Sequence, residues 1–160
     1  KVGPIHGHSE GVVRLLHSAD TVVHLVTLLE ELPMRETLEA VDELDAADLR
    51  PGMVLLNRVR PGRLPARSVP VAADGRMDAN RLRTGLEQVG LRPDEEMVEA
   101  LAAQAMEHAI RVRSEGRARE QLAELDLPSV TLPEVTGGID VAALYELAEV
   151  LREQGVRRTP

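Results

Sequence analysis

The chain has 160 residues, room for one domain with a moderate core, and its 43% hydrophobic content is ordinary for a globular protein. A formal net charge of −8 argues against general nucleic-acid affinity, and Tyr145, the single aromatic residue, against a stacking platform for single strands. The apolar runs fall short of the ~20 residues a membrane-spanning helix needs, and the absence of cysteine excludes disulfides and thiolate metal sites, as suits a cytoplasmic protein.

Residues 1–19 open with Gly3, Pro4 and Gly7, followed by Ser9 as a candidate cap and a short apolar helix through Val12, Val13, Leu15 and Leu16. The glycines are spaced too widely for a dinucleotide fingerprint, and no strand precedes them. His6 and His8 would need a further donor, Glu10 or His17, to hold a metal, so a solvated loop is the favoured reading.

Residues 20–60 carry most of the information. Val22, Val23, Leu25, Val26, Leu28 and Leu29 form a nearly unbroken apolar run, the pattern of a strand covered on both faces in a parallel sheet. Glu30 and Glu31 end it. Pro33 suits a first helical turn, and Met34, Leu38, Val41 and Leu44 then recur at helical spacing, with Arg35, Glu36, Glu39, Asp42 and Glu43 on the other side. Pro51-Gly52 closes the connection, and Met53 to Leu56 form a second apolar run that ends on Asn57. A strand, an amphipathic helix and a strand in that order make one βαβ unit with parallel strands.

Ligands of open α/β sheets bind outside the carboxyl ends of the strands, and Asn57 lies at such an end. Its amide offers an acceptor beside a donor, which matches the N6/N7 edge of adenine; it equally suits the turn backbone of a residue leaving a strand. Arg58 could stack on or pair with a nucleotide, or be a solvated loop arginine. Glu30 and Glu36 either serve the helix dipole or stand at a nucleotide-facing or subunit-facing edge of the sheet. His24 lies mid-strand, away from the ligand end, and reads as a core or edge histidine with one satisfied nitrogen.

Residues 61–77 are a long loop rich in proline and arginine, and the stretch from Arg58 through Arg60, Arg63 and Arg67 is locally basic. Residues 78–125 are helical. Asp78 caps a helix with Leu82, Leu86 and Val89 on one face and Gly90 as its stop. A longer helix follows Pro93, carrying the stripe Val98, Leu101, Ala102, Ala105, Ala109 and Val112, until Gly116 interrupts it before a short helix over 117–125. Met97 and Met106 invite comparison with Met-rich surfaces that bind hydrophobic segments, although core packing accounts for them better. Residues 129–153 supply the last strand, Ser129 to Leu132, the loop Glu134 to Gly138, and a helix capped by Asp140 that turns Leu144, Leu147, Ala148 and Leu151 to the sheet.

Glu30, Pro33, Glu36, Thr37 and Asn57, in the order strand, L-x-E-E-x-P-x-x-E-T, helix, strand, N-x-V, resemble the carboxyl-terminal half of the ArsA/GET3 family. These are the deviant-Walker P-loop ATPases that include the arsenite pump ATPase and the tail-anchored-protein targeting factor. A second match follows at Leu132-Pro133-Glu134-Val135-Thr136-Gly137-Gly138-Ile139, which looks like the family's last strand and the loop behind it. The resemblance implies an α/β chain, part of a parallel P-loop NTPase-type sheet flanked by helices, with three main strands and a helical middle segment. Residues 1–160 would then form the carboxyl-terminal portion of one nucleotide-binding domain.

By the same resemblance Asn57 recognises the adenine of ATP, and the loop of Pro133, Glu134 and Val135 packs against the base. No G-x-x-x-x-G-K-[ST] occurs, and Lys1 is the only lysine. The phosphate loop, the catalytic Asp and the ligands of Mg2+ are therefore expected upstream, with no catalytic residue in this chain. A homo- or heterodimer with a related ATPase subunit is implied. Without cysteine, neither an arsenite site nor the targeting factor's zinc clamp fits this chain. The alternative is a non-enzymatic α/β interaction module or an inactive partner subunit.

Overall fold

The structure, a computed structural model, describes the backbone of residues 4–157 and the side chains of residues 10–157. The elements run α1 (Pro4–Leu16), β1 (Val23–Thr27), α2 (Glu31–Ala46), β2 (Pro51–Val59), a 3-10 turn (Ala66–Ser68), α3 (Val69–Ala73), α4 (Ala79–Gln88), α5 (Glu95–Ala123), β3 (Ser129–Pro133) and α6 (Val141–Glu153). The three strands form one parallel sheet in the order β1-β2-β3, an α/β arrangement flanked by helices and consistent with a P-loop NTPase-like fold. The chain divides into two compact units, one of residues 1–60 and 120–160, the other of residues 61–119.

In the sheet-bearing unit, Leu25 pairs with Val54 and Thr27 with Leu56, so these four residues share one face. Val54, Leu56 and Thr27 are buried, as are Met34, Thr37 and Val41 of α2, which packs against β1 and β2. The hydroxyls of Thr27 and Thr37 both donate to the Pro33 carbonyl, at 3.1 and 2.7 Å. Pro33 is thus more than a tolerated helix-start residue, because its oxygen ties the end of β1 to the first turns of α2.

The opposite face differs from the sequence expectation. Val26, Leu55 and Val130 lie in register there, and burial falls off across the sheet from Val130, which is buried, to Val26, which is 63% exposed. β1 therefore alternates in burial rather than being covered on both sides. Its β-branched sequence states what the strand is able to bury, and the described residues cover only one face of it.

At the start of the sheet, Gly52 permits a close crossing. A Cβ there would lie 2.5 Å from both His24 Nδ1 and Val22 Cγ1. His24 Nδ1 accepts the Met53 N–H at 3.0 Å, at the irregularity between Val23 and Leu25. His24 is an exposed strand histidine with one nitrogen satisfied, as its mid-strand position suggested.

Three helices depart from the reading of their sequences. α1 begins at Pro4 and runs through Gly7 and Gly11 rather than starting after a Ser9 cap. The side chains of His6 and His8 lie outside the described residues. α5 is continuous across Gly116: a helical glycine costs about 1 kcal/mol, which the Ala/Arg/Glu/Leu-rich sequence after it and the burial of Ala118 and Leu122 offset. In α6 the inward stripe is Ala143, Leu147, Val150 and Leu151, whereas Leu144 is 55% exposed and Ala148 is exposed, a rotation of one residue from the expected face. The Asp140 cap is as expected, its carboxylate accepting the Ala143 N–H at 2.8 Å.

In the second unit, part of the proline- and arginine-rich stretch is ordered into α3, whose Ala72 and Ala73 are buried with Ala109 of α5 and flanked by Leu64, Val69 and Met77. Small residues bring backbones close enough for this core to form without aromatic filling. Asp78 caps α4 through Asn80 and Arg81, and Asp94 caps α5 by accepting the Met97 N–H at 2.8 Å. Val89, expected on the inner face of α4, is 74% exposed, and Met97 is 47% exposed rather than packed in a core. Among the described residues no helix is long and apolar enough to cross a membrane.

Candidate functional site

β2 and β3 end side by side, and the irregularity in their pairing falls between Leu56 and Val59. That two-residue bulge is Asn57-Arg58. Arg58 has a φ of 54°, left-handed backbone that a non-glycine residue adopts at a cost of roughly 1–2 kcal/mol. The Asn57 side chain offsets part of this by accepting the Arg58 N–H on Oδ1 at 2.9 Å. Because the partner is an N–H, the acceptor must be the amide oxygen, which fixes which way the amide lies and leaves its NH2 group and the second lone pair of Oδ1 for other partners. Bulges re-aim side chains at the ends of sheets, and this one does so at the ligand end of a parallel sheet.

The ladder resumes at Val59, which pairs with Pro133, and the Glu134 N–H donates to the Val59 carbonyl at 3.0 Å. The Glu134 carboxylate then receives three charged hydrogen bonds: Arg60 Nε at 2.6 Å, Arg60 Nη2 at 3.1 Å and Arg58 Nη2 at 3.1 Å. The Arg60 pair is a two-point fork, which fixes direction as well as supplying charge. Glu134 is 20% exposed in this setting, against 62% for Arg58. The Arg60 guanidinium first, and Arg58 after it, hold the Glu134 carboxyl below its ordinary range against a partial opposing effect of burial.

Asn57, Arg58, Pro133, Glu134 and Val135, the residues singled out in the sequence, are therefore neighbours at the carboxyl ends of two paired strands. Asn57 and Val135 are half-buried, while Pro133 and Arg58 are exposed. Beyond Val135 the loop turns through Gly137 and Gly138, with φ of 104° and 98°, before the α6 cap at Asp140. Glu30 is the N-cap residue of α2 just beyond β1; it is exposed, as is Glu36, and its side chain makes no cap hydrogen bond. Arg60 was legible only as one of several loop arginines. Its partner lies 74 residues away, and only the adjacency of β2 and β3 connects the two.

Other polar clusters lie elsewhere. His17 Nδ1 faces the Asp48 carbonyl at 3.1 Å, in a cleft of about 310 Å³ with Ser18, Thr21, Asp45 and Arg50, at the amino-terminal end of the sheet. His108 of α5 accepts the Arg63 N–H on Nε2 at 3.0 Å, and burial, then Arg111 and Arg63, push its pKa down. Among the described residues no group of three or more His, Asp or Glu side chains is placed to hold a metal ion.

No protein-family model matches the chain. It is 44% identical over 157 residues to a Mycobacterium tuberculosis protein named ATPase BagA, an alignment that covers 98% of this chain and 46% of that protein. A Mycobacterium bovis protein, named as a candidate ATPase, matches to the same extent. The chain spans about half the length of the curated relatives it matches, and those relatives are named as ATPases.

Proposed function

We propose that this chain is the adenine-binding portion of an ATP-hydrolysing ATPase of the ArsA/GET3 type. Asn57 reads the base, the residues 133–135 loop packs against it, and Arg58 lies beside it. The phosphates and Mg2+ are held by residues outside this sequence, and the ATPase works as a dimer in the cytoplasm. The observation that carries this reading is the bulge at Asn57-Arg58, an amide oriented by its own backbone at the ligand end of two parallel strands. The 44% identity to proteins named ATPases supports the same reading.

Binding a base is a ground-state interaction kept through the reaction, so it lowers KM without changing the chemical step. In the full-length protein Asn57→Ala should therefore raise the KM for ATP while kcat holds. The loss expected for one bidentate base contact is about 1–3 kcal/mol. An unchanged KM would remove Asn57 from the base site, and a protein that neither binds nor hydrolyses ATP would favour the interaction module.

A further inference from the structure

Resting on that reading, we infer that Arg58 is the stacking surface for the base and that Glu134 is the positioning residue that sets its plane. A nucleotide base in a protein site needs a flat partner for its face as well as an edge partner, and that partner is most often aromatic. Tyr145 is the only aromatic residue of the chain, and it lies on α6 rather than at the Asn57 bulge. A guanidinium is the other planar group proteins use for this purpose. Arg58 directly follows the proposed edge-reading residue, and its left-handed backbone departs from the strand path there.

Arg58 alone would be a poor platform, because a long side chain loses its rotamer freedom on stacking. The structure supplies the restraint. Glu134 bonds one terminal nitrogen of Arg58 and is itself held by the two-point fork from Arg60. Carboxylate and guanidinium groups pair in or near a common plane, so the bond uses an edge of Arg58 and leaves the faces of the ion for another group. Arg58 is 62% exposed despite this bond, as a surface awaiting a flat partner would be. The two residues thus divide the recognition: Asn57 distinguishes one purine from another, and Arg58 holds any base.

The discriminating measurement is calorimetric binding of ATP, GTP and inorganic tripolyphosphate to the full-length protein and its variants. Arg58→Ala and Arg58→Asn, the latter suited to left-handed backbone, should weaken ATP and GTP alike, by about tenfold. Tripolyphosphate, which has no base, should bind both variants as it binds the wild type. Arg58→Lys keeps the charge and loses the plane, and should resemble Arg58→Ala. Glu134→Gln should give a smaller loss shared by ATP and GTP, with Glu134→Asp between it and the wild type. An equal loss for tripolyphosphate, or full retention in Arg58→Lys, would show Arg58 to be a phosphate contact and overturn the inference. If the wild type binds ATP and Arg58→Ala binds it equally well, stacking fails while the adenine reading stands. If the wild type binds no ATP, the adenine reading fails and this inference with it.

Discussion

Arg60 and Glu134, 74 residues apart in the chain, join the ends of β2 and β3 through a two-point charged fork of 2.6 and 3.1 Å. The fork adds to the Val59–Pro133 pairing and to the bond from the Glu134 N–H to the Val59 carbonyl where the chain leaves β3. It follows from the register of these two strands, which places Arg60 and Glu134 one residue past a paired position.

The acid side of the stability profile should carry the signature of this carboxylate. Arg60 and Arg58 lower the Glu134 pKa in the folded state, so the unfolded chain binds the proton more readily. The contribution is present above the ordinary glutamate range and is lost as pH falls through the lower, folded value. Thermal melts of wild type and Glu134→Gln should differ at neutral pH and converge in acid. A constant difference at all pH values would mean that the charge of Glu134 does not matter.

Gly52 offers a test of the close crossing between β1 and β2. A Cβ at 2.5 Å from both His24 Nδ1 and Val22 Cγ1 has to displace these side chains, and with the imidazole its bond from the Met53 N–H, so Gly52→Ala should destabilise the protein by roughly 1–3 kcal/mol in urea unfolding. Adding His24→Ala should recover part of the loss and no more, because the clash with Val22 persists. Full stability in Gly52→Ala would show that both side chains turn aside at no cost.

Thr27 and Thr37 share one acceptor, the Pro33 carbonyl, in a buried setting. Replacing either by Val should cost about 1 kcal/mol, the net worth of one hydroxyl hydrogen bond. In the double variant the carbonyl keeps its helical bond from the Thr37 N–H, so the loss should be close to the sum of the singles in a double-mutant cycle. A loss well above that sum would mean that the two hydroxyls are coupled through the shared oxygen.

Much of the sheet-bearing unit was legible in the sequence, because its signals are local. The apolar run before Glu30, the helical spacing from Met34 to Val41 and the turn at Pro51-Gly52 each specify their own element, and two such strands around a helix leave few arrangements. Asp78 and Asp140 announced their helices through capping chemistry. The errors came where neighbours decide. Gly116 punctuates a sequence in isolation but not a helix whose flanking turns are buried, and the exposure of Val26 depends on what covers a sheet face. At the proposed site, the placement of Asn57 and the 133–135 loop at the ends of two strands was legible in the sequence. The bulge, the left-handed Arg58 and the Arg60 fork were not, because each arises from the register between strands more than 70 residues apart in sequence.

The central claim is that Asn57 reads adenine, and purine selectivity tests it most directly. Calorimetric titration of the full-length protein should show ATP bound more tightly than GTP, because guanine presents two acceptors on the edge where adenine presents an acceptor and a donor. Asn57→Ala should reduce ATP affinity by ~10- to 100-fold and GTP affinity far less, bringing the two together. A selectivity unchanged by Asn57→Ala would contradict the account, leaving the oriented amide as a brace for the Arg58 bulge.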